Sequence, residues 1–224
     1  IHRFLPNASQ LVFGCMGLGG DWSNTDFDDS HVKQAESAVA CALENGITMF
    51  DHADIYTKGK AEAVFGRLLK AKPSLRDDMI LQSKCGIRFD DERGPGRYDF
   101  SYDWIIQSVE GSLARLHTET LDILILHRPD PLMEIDEVAR AFDHLQSTGK
   151  VKHFGVSNMH AHQICFLQSA INAPFITHQL EMSLLNTGWL DESVTAGMAS
   201  GANEHFSPGI IEHSQQHGIQ LQSW

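Results

Sequence analysis

The sequence predicts a single α/β domain in which parallel strands alternate with helices and curl into a barrel. Short apolar runs alternate with amphipathic segments along all 224 residues, which is the order typical of repeated βα units. Three predicted helices end in a glycine that lies next to, or one residue before, an apolar run, at Gly46, Gly149 and Gly218, as helix C-termini often do. No linker or low-complexity stretch divides the chain, so we expect residues 1–224 to form one domain.

The predicted elements follow in regular order after a first strand that ends at residues 11–13. The apolar runs predict strands at residues 47–50, 79–83, 121–126, 151–156, 175–179 and from 219 onward. Apolar residues at helical spacing predict helices at residues 30–45, 61–70, 102–116, 134–148, 160–170 and 208–217, with Ser101 as the N-cap of the third. Residues 88–100 and 195–203 are rich in glycine and predict loops.

These runs make about seven parallel strands, and the last one begins near the end of the sequence. A closed barrel of eight strands needs the rest of that strand, one more strand and its helices. An open seven-stranded sheet would expose two apolar edges. We therefore expect the sequence to be C-terminally incomplete, and we favour the ordered part of a longer chain over a cut chain.

Composition excludes several classes of protein. The formal net charge of -12 argues against a nucleic-acid surface, which needs clustered Lys and Arg. No apolar run approaches the roughly 20 residues of a membrane-spanning helix. The four cysteines, Cys15, Cys41, Cys85 and Cys165, have no CxxC spacing, and each lies in or beside an apolar segment. We expect buried free thiols and a cytoplasmic protein.

Four polar residues lie at or just beyond the ends of three predicted strands: Asp51, Tyr56, Lys84 and His127. Residues past the C-terminal ends of barrel strands converge on one rim. Each residue alone is also typical of an ordinary strand end, but together they form a set of complementary chemistry. The pKa of a free tyrosine side chain is about 10, and we expect an ammonium held by a carboxylate to lower it. The set suits carbonyl reduction, in which the tyrosine would donate the proton and the histidine would hold the group that accepts it.

These residues lie in motifs by which the sequence resembles the aldo-keto reductases, specifically a bacterial subgroup with a Leu-His-Arg-Pro-Asp-Pro-Leu run. The matching segments are residues 46–56, Glu62, Lys84, residues 126–131, residues 152–158 and Gln179. They cover essentially the whole chain in the family's order.

The resemblance implies a (β/α)8 TIM barrel that binds NADPH at its C-terminal rim and reduces an aldehyde or ketone by hydride transfer. Tyr56 would be the general acid, Asp51 and Lys84 would tune it, and His127 would orient and polarise the substrate oxygen. Besides Asp51, the residues that the resemblance implies for cofactor binding are Met16, Gly17, Ser157, Asn158, Gln179 and Trp224.

The substrate-pocket candidates are His127 and two aromatics in loops expected on the rim, Trp22 and Phe89; Phe100 and Met159 are further candidates. Ala61 departs from the small polar residue usual in the family. The basic stretch that grips the adenosine 2′-phosphate is not in this sequence, so NADP rather than NAD rests on the resemblance alone.

Two alternatives stay open. In the first, the chain is a cofactor-sensing regulatory subunit with little or no turnover, a role that the same family fold also serves. Lys84 could instead form a Schiff base, as in PLP enzymes, although no phosphate cup is visible.

Thirteen histidines invite a metal hypothesis, but no HExxH motif is present and we expect no metal site. The sequence predicts a small-molecule carbonyl substrate without identifying it, and it does not predict the oligomeric state.

Overall fold

The computed structural model describes residues 1–224, with nine strands and seven α-helices. The strands are β1 (Val12–Gly14), β2 (Met49–Asp51), β3 (Ile80–Cys85), β4 (Ile87–Arg88), β5 (Arg97–Tyr98), β6 (Leu121–Leu126), β7 (Val151–Ser157), β8 (Phe175–Leu180) and β9 (Gln220–Ser223). The helices are α1 (Asp29–Glu44), α2 (Lys60–Ala71), α3 (Tyr102–Leu116), α4 (Ile135–Ser147), α5 (Ala161–Gln168), α6 (Gly188–Val194) and α7 (Ile210–His217).

Seven of the strands form one parallel sheet in the order β1-β2-β3-β6-β7-β8-β9. The sheet is curled, because the side chain of Gln222 on β9 reaches Gln82 on β3, at 2.9 Å, and Gln179 on β8 reaches Asp51 on β2, at 3.0 Å. Strands β1 and β9 both line one cleft of about 450 Å³. The predicted curled parallel sheet is therefore confirmed.

Apolar side chains pack on both faces of this sheet. The concave face carries a small cluster, called here the inner apolar cluster: Ala8, Met49, Ile80, Ile123, Ile125 and Ile176. The N-terminal residues Ile1, Phe4 and Leu5 pack against it. The convex face carries a larger core of 38 buried residues beneath the helices, where Phe142 of α4 stacks on Phe154 of β7 at 3.9 Å between ring centroids. Burial on both faces explains why β6 is apolar apart from Asp122, whose carboxylate is paired with Arg76 and Lys152.

The predicted helix ends are confirmed by their backbone conformation. Gly46, Gly149 and Gly218 have φ values of 73°, 73° and 65°, in the left-handed region that glycine adopts without a Cβ penalty. Ser101 caps α3, where its Oγ accepts a hydrogen bond from the backbone N–H of Trp104.

Several stretches differ from the prediction. Helix α6 was not predicted, and the predicted loop at residues 195–203 contains a 3-10 turn at Ala199–Gly201. Residues 88–100 are not simply a loop, because β4 and β5 form an antiparallel hairpin whose Arg88 is paired with Asp91 and Asp99. Strand β3 extends to Cys85, past the predicted end at residue 83, so that Lys84 lies one residue before its end. The hairpin was not predicted, because its two short strands are held by local ion pairs and have no alternating apolar pattern.

The expectation of buried thiols was half wrong. Cys15 and Cys85 are buried, but Cys41 and Cys165 are exposed, and all four are free. None of the helices is long and apolar enough to cross a membrane.

Candidate active site

Lys84 is the centre of the polar cluster. Strand β3 alternates Ile80, Gln82 and Lys84 toward the barrel interior, which places a lysine that is only 2 % exposed among buried groups. Its Nζ donates three hydrogen bonds, to Asp51 Oδ2 at 2.7 Å, to the Tyr56 hydroxyl oxygen at 2.8 Å and to the backbone oxygen of His52 at 2.9 Å. An ammonium has three N–H groups, so the donor capacity of Lys84 is fully used.

This arrangement decides what the Tyr56 hydroxyl can do. Because the phenol oxygen accepts a hydrogen bond from Lys84, its own hydrogen remains available to another acceptor. The ammonium also lies 4.6 Å from the centroid of the tyrosine ring. Tyr56 can therefore donate a proton to a ligand while a fixed positive charge faces the oxygen that is left.

The Asp51 carboxylate is held by a second layer of amides. Its Oδ1 accepts from Gln82 Nε2 at 2.7 Å and from Gln179 Nε2 at 3.0 Å. Both amides also donate to Gln222 Oε1, at 2.9 and 3.0 Å. We call Asp51, Gln82, Lys84, Gln179 and Gln222 the polar ring. It crosses the interior of the curled sheet and fixes the carboxylate that holds Lys84.

The chain that follows Tyr56 is in a strained conformation. Thr57 and Lys58 have φ values of 45° and 60°, in the left-handed region that is costly for residues with a Cβ. Thr57 is buried, and its Oγ1 donates to the backbone oxygen of Leu18 at 3.0 Å. Gly59 continues the turn at φ 85°. Strain of this kind persists where surrounding contacts require it, and here those contacts position Tyr56.

His127 follows β6 and lies across the site from Lys84. Its ring is edge-on to that of Tyr56, with 5.9 Å between centroids. Its Nδ1 is buried without a hydrogen-bond partner, so Nε2 is the ring nitrogen available to a ligand. Burial first, and then the charges of Lys84 and Arg128, lower the pKa of His127 to about 3. The imidazole is therefore neutral at ordinary pH and can donate an N–H without carrying charge.

The pKa of Tyr56 corrects one step of the sequence argument. Lys84 does lower it, but burial is the larger effect and, together with the Asp51 charge, leaves the pKa of Tyr56 above its usual value. The expected net lowering was wrong, because the sequence does not show how much of the phenol is removed from water. Burial also opposes the charge on Lys84, yet Asp51 and Tyr56 raise the pKa of Lys84 above its usual value. Both groups are protonated at neutral pH.

The predicted cofactor residues lie near the C-terminal ends of β1, β2, β7, β8 and β9 or in the loops that follow them. Ser157 ends β7 and is buried, and its Oγ accepts from Asn158 Nδ2 at 2.7 Å. The backbone N–H of Asn158 donates to the backbone oxygen of Gln179 on β8, at 2.9 Å. Trp224 is 52 % exposed and lines the cleft between β1 and β9 together with Asp51 and Gln179. Met16 is exposed in the loop after β1, where Gly17 follows it. Their roles stay predictions.

The substrate-pocket candidates divide by burial. Trp22 and Phe89 are 44 % and 43 % exposed, and their assignment stays a prediction. Phe89 lines a cavity whose walls include none of Asp51, Tyr56, Lys84 and His127. Phe100 and Met159 are at most 1 % exposed and belong to the core. Those two side chains cannot contact a substrate in this structure, so proposing them from their loop positions was wrong.

Gln82 and Gln222 were missed by the sequence argument. Gln82 could have been found, because it lies two residues before Lys84 on the same strand and so shares its face. Gln222 carried no such signal, since its contact with Gln82 joins positions 140 residues apart.

A family model described as "Aldo/keto reductase family" matches residues 10–224. The oxidoreductase YdhF of Escherichia coli is 46% identical over 194 residues, which cover 84% of this chain and 63% of that protein. The 6-dehydroglucose reductase of Agrobacterium fabrum is 40% identical over 183 residues, which cover 80% of this chain and 60% of that protein.

Among solved structures, an aldo-keto reductase of Bacillus halodurans in its holo form is similar, with a TM-score of 0.72 and 28% identity. The match covers 96% of this chain and 61% of that one. The chain therefore spans less than two thirds of the length of each of these three relatives.

Proposed function

The chain belongs to the aldo/keto reductase family, and on that premise we propose that it is an NADP-dependent reductase of an aldehyde or ketone with Tyr56 as the general acid. The observation that carries this proposal is the hydrogen bonding of Lys84. All three of its N–H groups are engaged, and the one directed to Tyr56 leaves the phenolic hydrogen free for a substrate oxygen.

The residues present fit a nicotinamide carboxamide, which needs both a donor and an acceptor. The Ser157 hydroxyl accepts from Asn158, so its own hydrogen is free to donate. The Gln179 amide nitrogen donates to Asp51 and Gln222, while its oxygen accepts no hydrogen bond within the protein. The ring of Trp224, which has the Arg128 guanidinium 5.5 Å from its centroid, offers a flat aromatic surface for a heterocycle. When bound, NADPH supplies the hydride that the carbonyl carbon receives.

The chain's own residues handle the substrate oxygen. The N–H of the neutral His127 orients this oxygen and polarises the carbonyl. Tyr56 donates its proton to the oxygen as negative charge develops there. The buried ammonium of Lys84 stabilises the phenolate that remains, and Asp51 holds that ammonium in place. In the reverse direction the same phenolate would accept the proton of an alcohol.

The cofactor-sensing alternative has less support. All four candidates for catalysis are present, and each lies beside another: Lys84 donates to Asp51 and Tyr56, and the ring of His127 is edge-on to that of Tyr56. A sensor has no need of an available proton. We also propose the cytoplasm as the compartment, since all four cysteines are free.

The test is a rate measurement with 6-dehydroglucose as the first substrate, because a relative bears that name. We expect absorbance at 340 nm to fall with NADPH and substrate together and to stay constant when either is omitted. Turnover with NADH at the same or a higher kcat/KM would contradict NADP dependence. Absence of turnover with a panel of aldehydes and ketones, despite saturable NADPH binding, would contradict the reductase proposal in favour of a sensor.

A further inference from the structure

One arginine on the rim of the barrel has no partner for its charge. Arg128 lies in the loop after β6, and its side chain is partly buried. It forms no ion pair and no hydrogen bond within the protein. The other partly buried arginines are all paired with carboxylates: Arg76, Arg88, Arg97 and Arg115. Since burial makes an unpaired charge costly, Arg128 is the arginine whose surroundings favour an anion from another molecule.

The guanidinium of Arg128 lies beside the reacting end of the proposed active site. Arg128 directly follows His127 in the chain, and its charge helps to lower the pKa of His127, after burial and the charge of Lys84. Its Cζ lies 5.5 Å from the centroid of the Trp224 ring. Trp224 lines the cleft that Asp51 also lines. The charge of Arg128 therefore lies at the edge of the space in which an aldehyde or ketone would be bound.

The contact with Trp224 holds the guanidinium without using its hydrogen-bond donors. A cation–π contact joins the charge to the face of the ring, so the five N–H groups of Arg128 stay available. The planar fork of a guanidinium matches two oxygens of a carboxylate or a phosphate in a bidentate pair. An oxyanion is therefore the ligand group that fits this side chain.

The neighbouring charges do not neutralise Arg128. The Lys84 ammonium is matched by the Asp51 carboxylate at 2.7 Å, and His127 is neutral. Asp130 follows two residues after Arg128, but it is buried, and its oxygens accept from the backbone N–H groups of Phe100 and Leu132. One positive charge thus stays unmatched beside the proposed position of the substrate oxygen.

We propose that Arg128 is a specificity-determining residue that binds an oxyanion on the substrate and so selects aldehydes or ketones that carry a carboxylate or phosphate. This inference rests on the proposed function. A phosphate group of the cofactor offers the same chemistry to a guanidinium. The substrate is favoured as the source, because Arg128 adjoins His127, the residue proposed to orient the substrate oxygen.

The first test compares aldehyde acids with their neutral esters, with NADPH present. Glyoxylate and succinic semialdehyde are measured against methyl glyoxylate and methyl 4-oxobutanoate, which keep the aldehyde but lose the charge. We expect the wild type to prefer the acids in kcat/KM, mainly through a lower KM. Arg128→Gln should lower the acid-to-ester ratio about 10–100-fold, the value of hydrogen bonds to a charged group. Arg128→Lys keeps the charge without the fork and should restore part of the ratio.

Arg140→Gln is the matched control. Arg140 in α4 also forms no ion pair and no hydrogen bond, and its Cζ lies 4.8 Å from the centroid of the Tyr102 ring. The substitution removes the same charge and the same kind of contact at another place, so the acid-to-ester ratio should not change. A neutral sugar aldehyde such as 6-dehydroglucose, which occurs in the name of a relative, should behave like the esters.

A binding measurement tests the inference without turnover. Succinate and its neutral counterpart succinamide are titrated calorimetrically into the protein, with and without NADPH. We expect succinate to bind more tightly than succinamide to the wild type, and about tenfold or more weakly to Arg128→Gln than to the wild type. If no carbonyl compound is reduced while succinate binding depends on Arg128, the reductase proposal fails and the anion site stands.

Three results would overturn the inference. The first is equal kcat/KM for acids and esters together with equal binding of succinate and succinamide in the wild type. The second is an acid-to-ester ratio and a succinate Kd that Arg128→Gln leaves unchanged. The third is weaker NADPH binding in Arg128→Gln with an unchanged acid-to-ester ratio, which would assign the guanidinium to a cofactor phosphate. A thermal melt checks that each variant is folded.

Discussion

The inner apolar cluster and the polar ring lie on the same concave face of one sheet, yet they differ completely in chemistry. On β2 the change from one to the other takes two residues, from Met49 to Asp51, and on β3 it takes two residues from Ile80 to Gln82. The side chains of the inner apolar cluster contain only carbon and sulfur besides hydrogen. The side chains of the polar ring comprise an ion pair and three amides.

The contrast between the two regions shows how one strand can serve two purposes. Apolar burial contributes stability in proportion to the area removed from water. A buried ion pair contributes little net stability, because desolvation offsets its attraction. The main effect of the polar ring is therefore to hold Lys84 beside Tyr56. The inner apolar cluster stabilises the sheet on which the polar ring lies. If the two regions differ in this way, substitutions in the polar ring should lower activity, and substitutions in the inner apolar cluster should lower stability alone.

Tyr56→Phe should produce the largest functional effect. Removing the proposed proton donor is expected to lower kcat by about 10²–10⁴-fold, while the free energy of unfolding falls by no more than about 1–3 kcal/mol for the lost acceptor of Lys84. Steady-state rates and urea unfolding measure the two. Tyr98→Phe, at an exposed tyrosine, is the control and should change neither. Retention of most of the activity in Tyr56→Phe would show that another group donates the proton.

Lys84→Met should affect both stability and activity. It leaves the Asp51 carboxylate without its cation, which is expected to cost about 3–5 kcal/mol of stability. Because Lys84 lowers the pKa of Tyr56, its removal should raise that pKa further. Alcohol oxidation, which needs the phenolate, should then shift to higher pH. The pH profile of oxidation measures this, and an unchanged profile would exclude tuning by Lys84.

Ile123→Ala should act on stability alone. Ile123 is fully buried in the inner apolar cluster, and we expect a loss of about 2–5 kcal/mol, measured by urea unfolding. At temperatures where the variant is folded, kcat should stay within about twofold of the wild type, because no polar-ring contact is lost. Leu132→Ala, at a side chain that is 87 % exposed, should change stability by less than about 0.5 kcal/mol. A large fall in kcat of folded Ile123→Ala would show that the two regions are coupled.

His117→Gly should give the smallest effect, and in the opposite direction. His117 ends α3 with φ 51° and is exposed. Glycine adopts this conformation without the Cβ penalty, so we expect a gain of about 0.5–1 kcal/mol in the free energy of unfolding. Activity should not change. His117→Ala keeps the Cβ and should show no such gain, and an equal gain in both variants would exclude the conformational explanation.

Much of the active-site geometry was predictable from local pattern. Asp51, Tyr56, Lys84 and His127 were predicted because they end or follow strands, and parallel strands bring such positions to one rim. The structure brings them within contact. Gln222 and the β4–β5 hairpin were not predicted, because their partners or ion pairs leave no periodic signal in the chain. The direction of the Tyr56 pKa was also mispredicted, since burial outweighs the ammonium beside it.

Periodicity and motifs are local properties of the chain, so the alternation of strands and helices, the glycine-terminated helices and the family were all predictable from the sequence. How the polar side chains share their hydrogen bonds follows from the three-dimensional fold instead. That Lys84 uses all its donors, and so leaves the Tyr56 hydrogen free, depends on distances among β2, β3 and the turn after β2. Burial and distance arise from long-range packing, which no local pattern encodes.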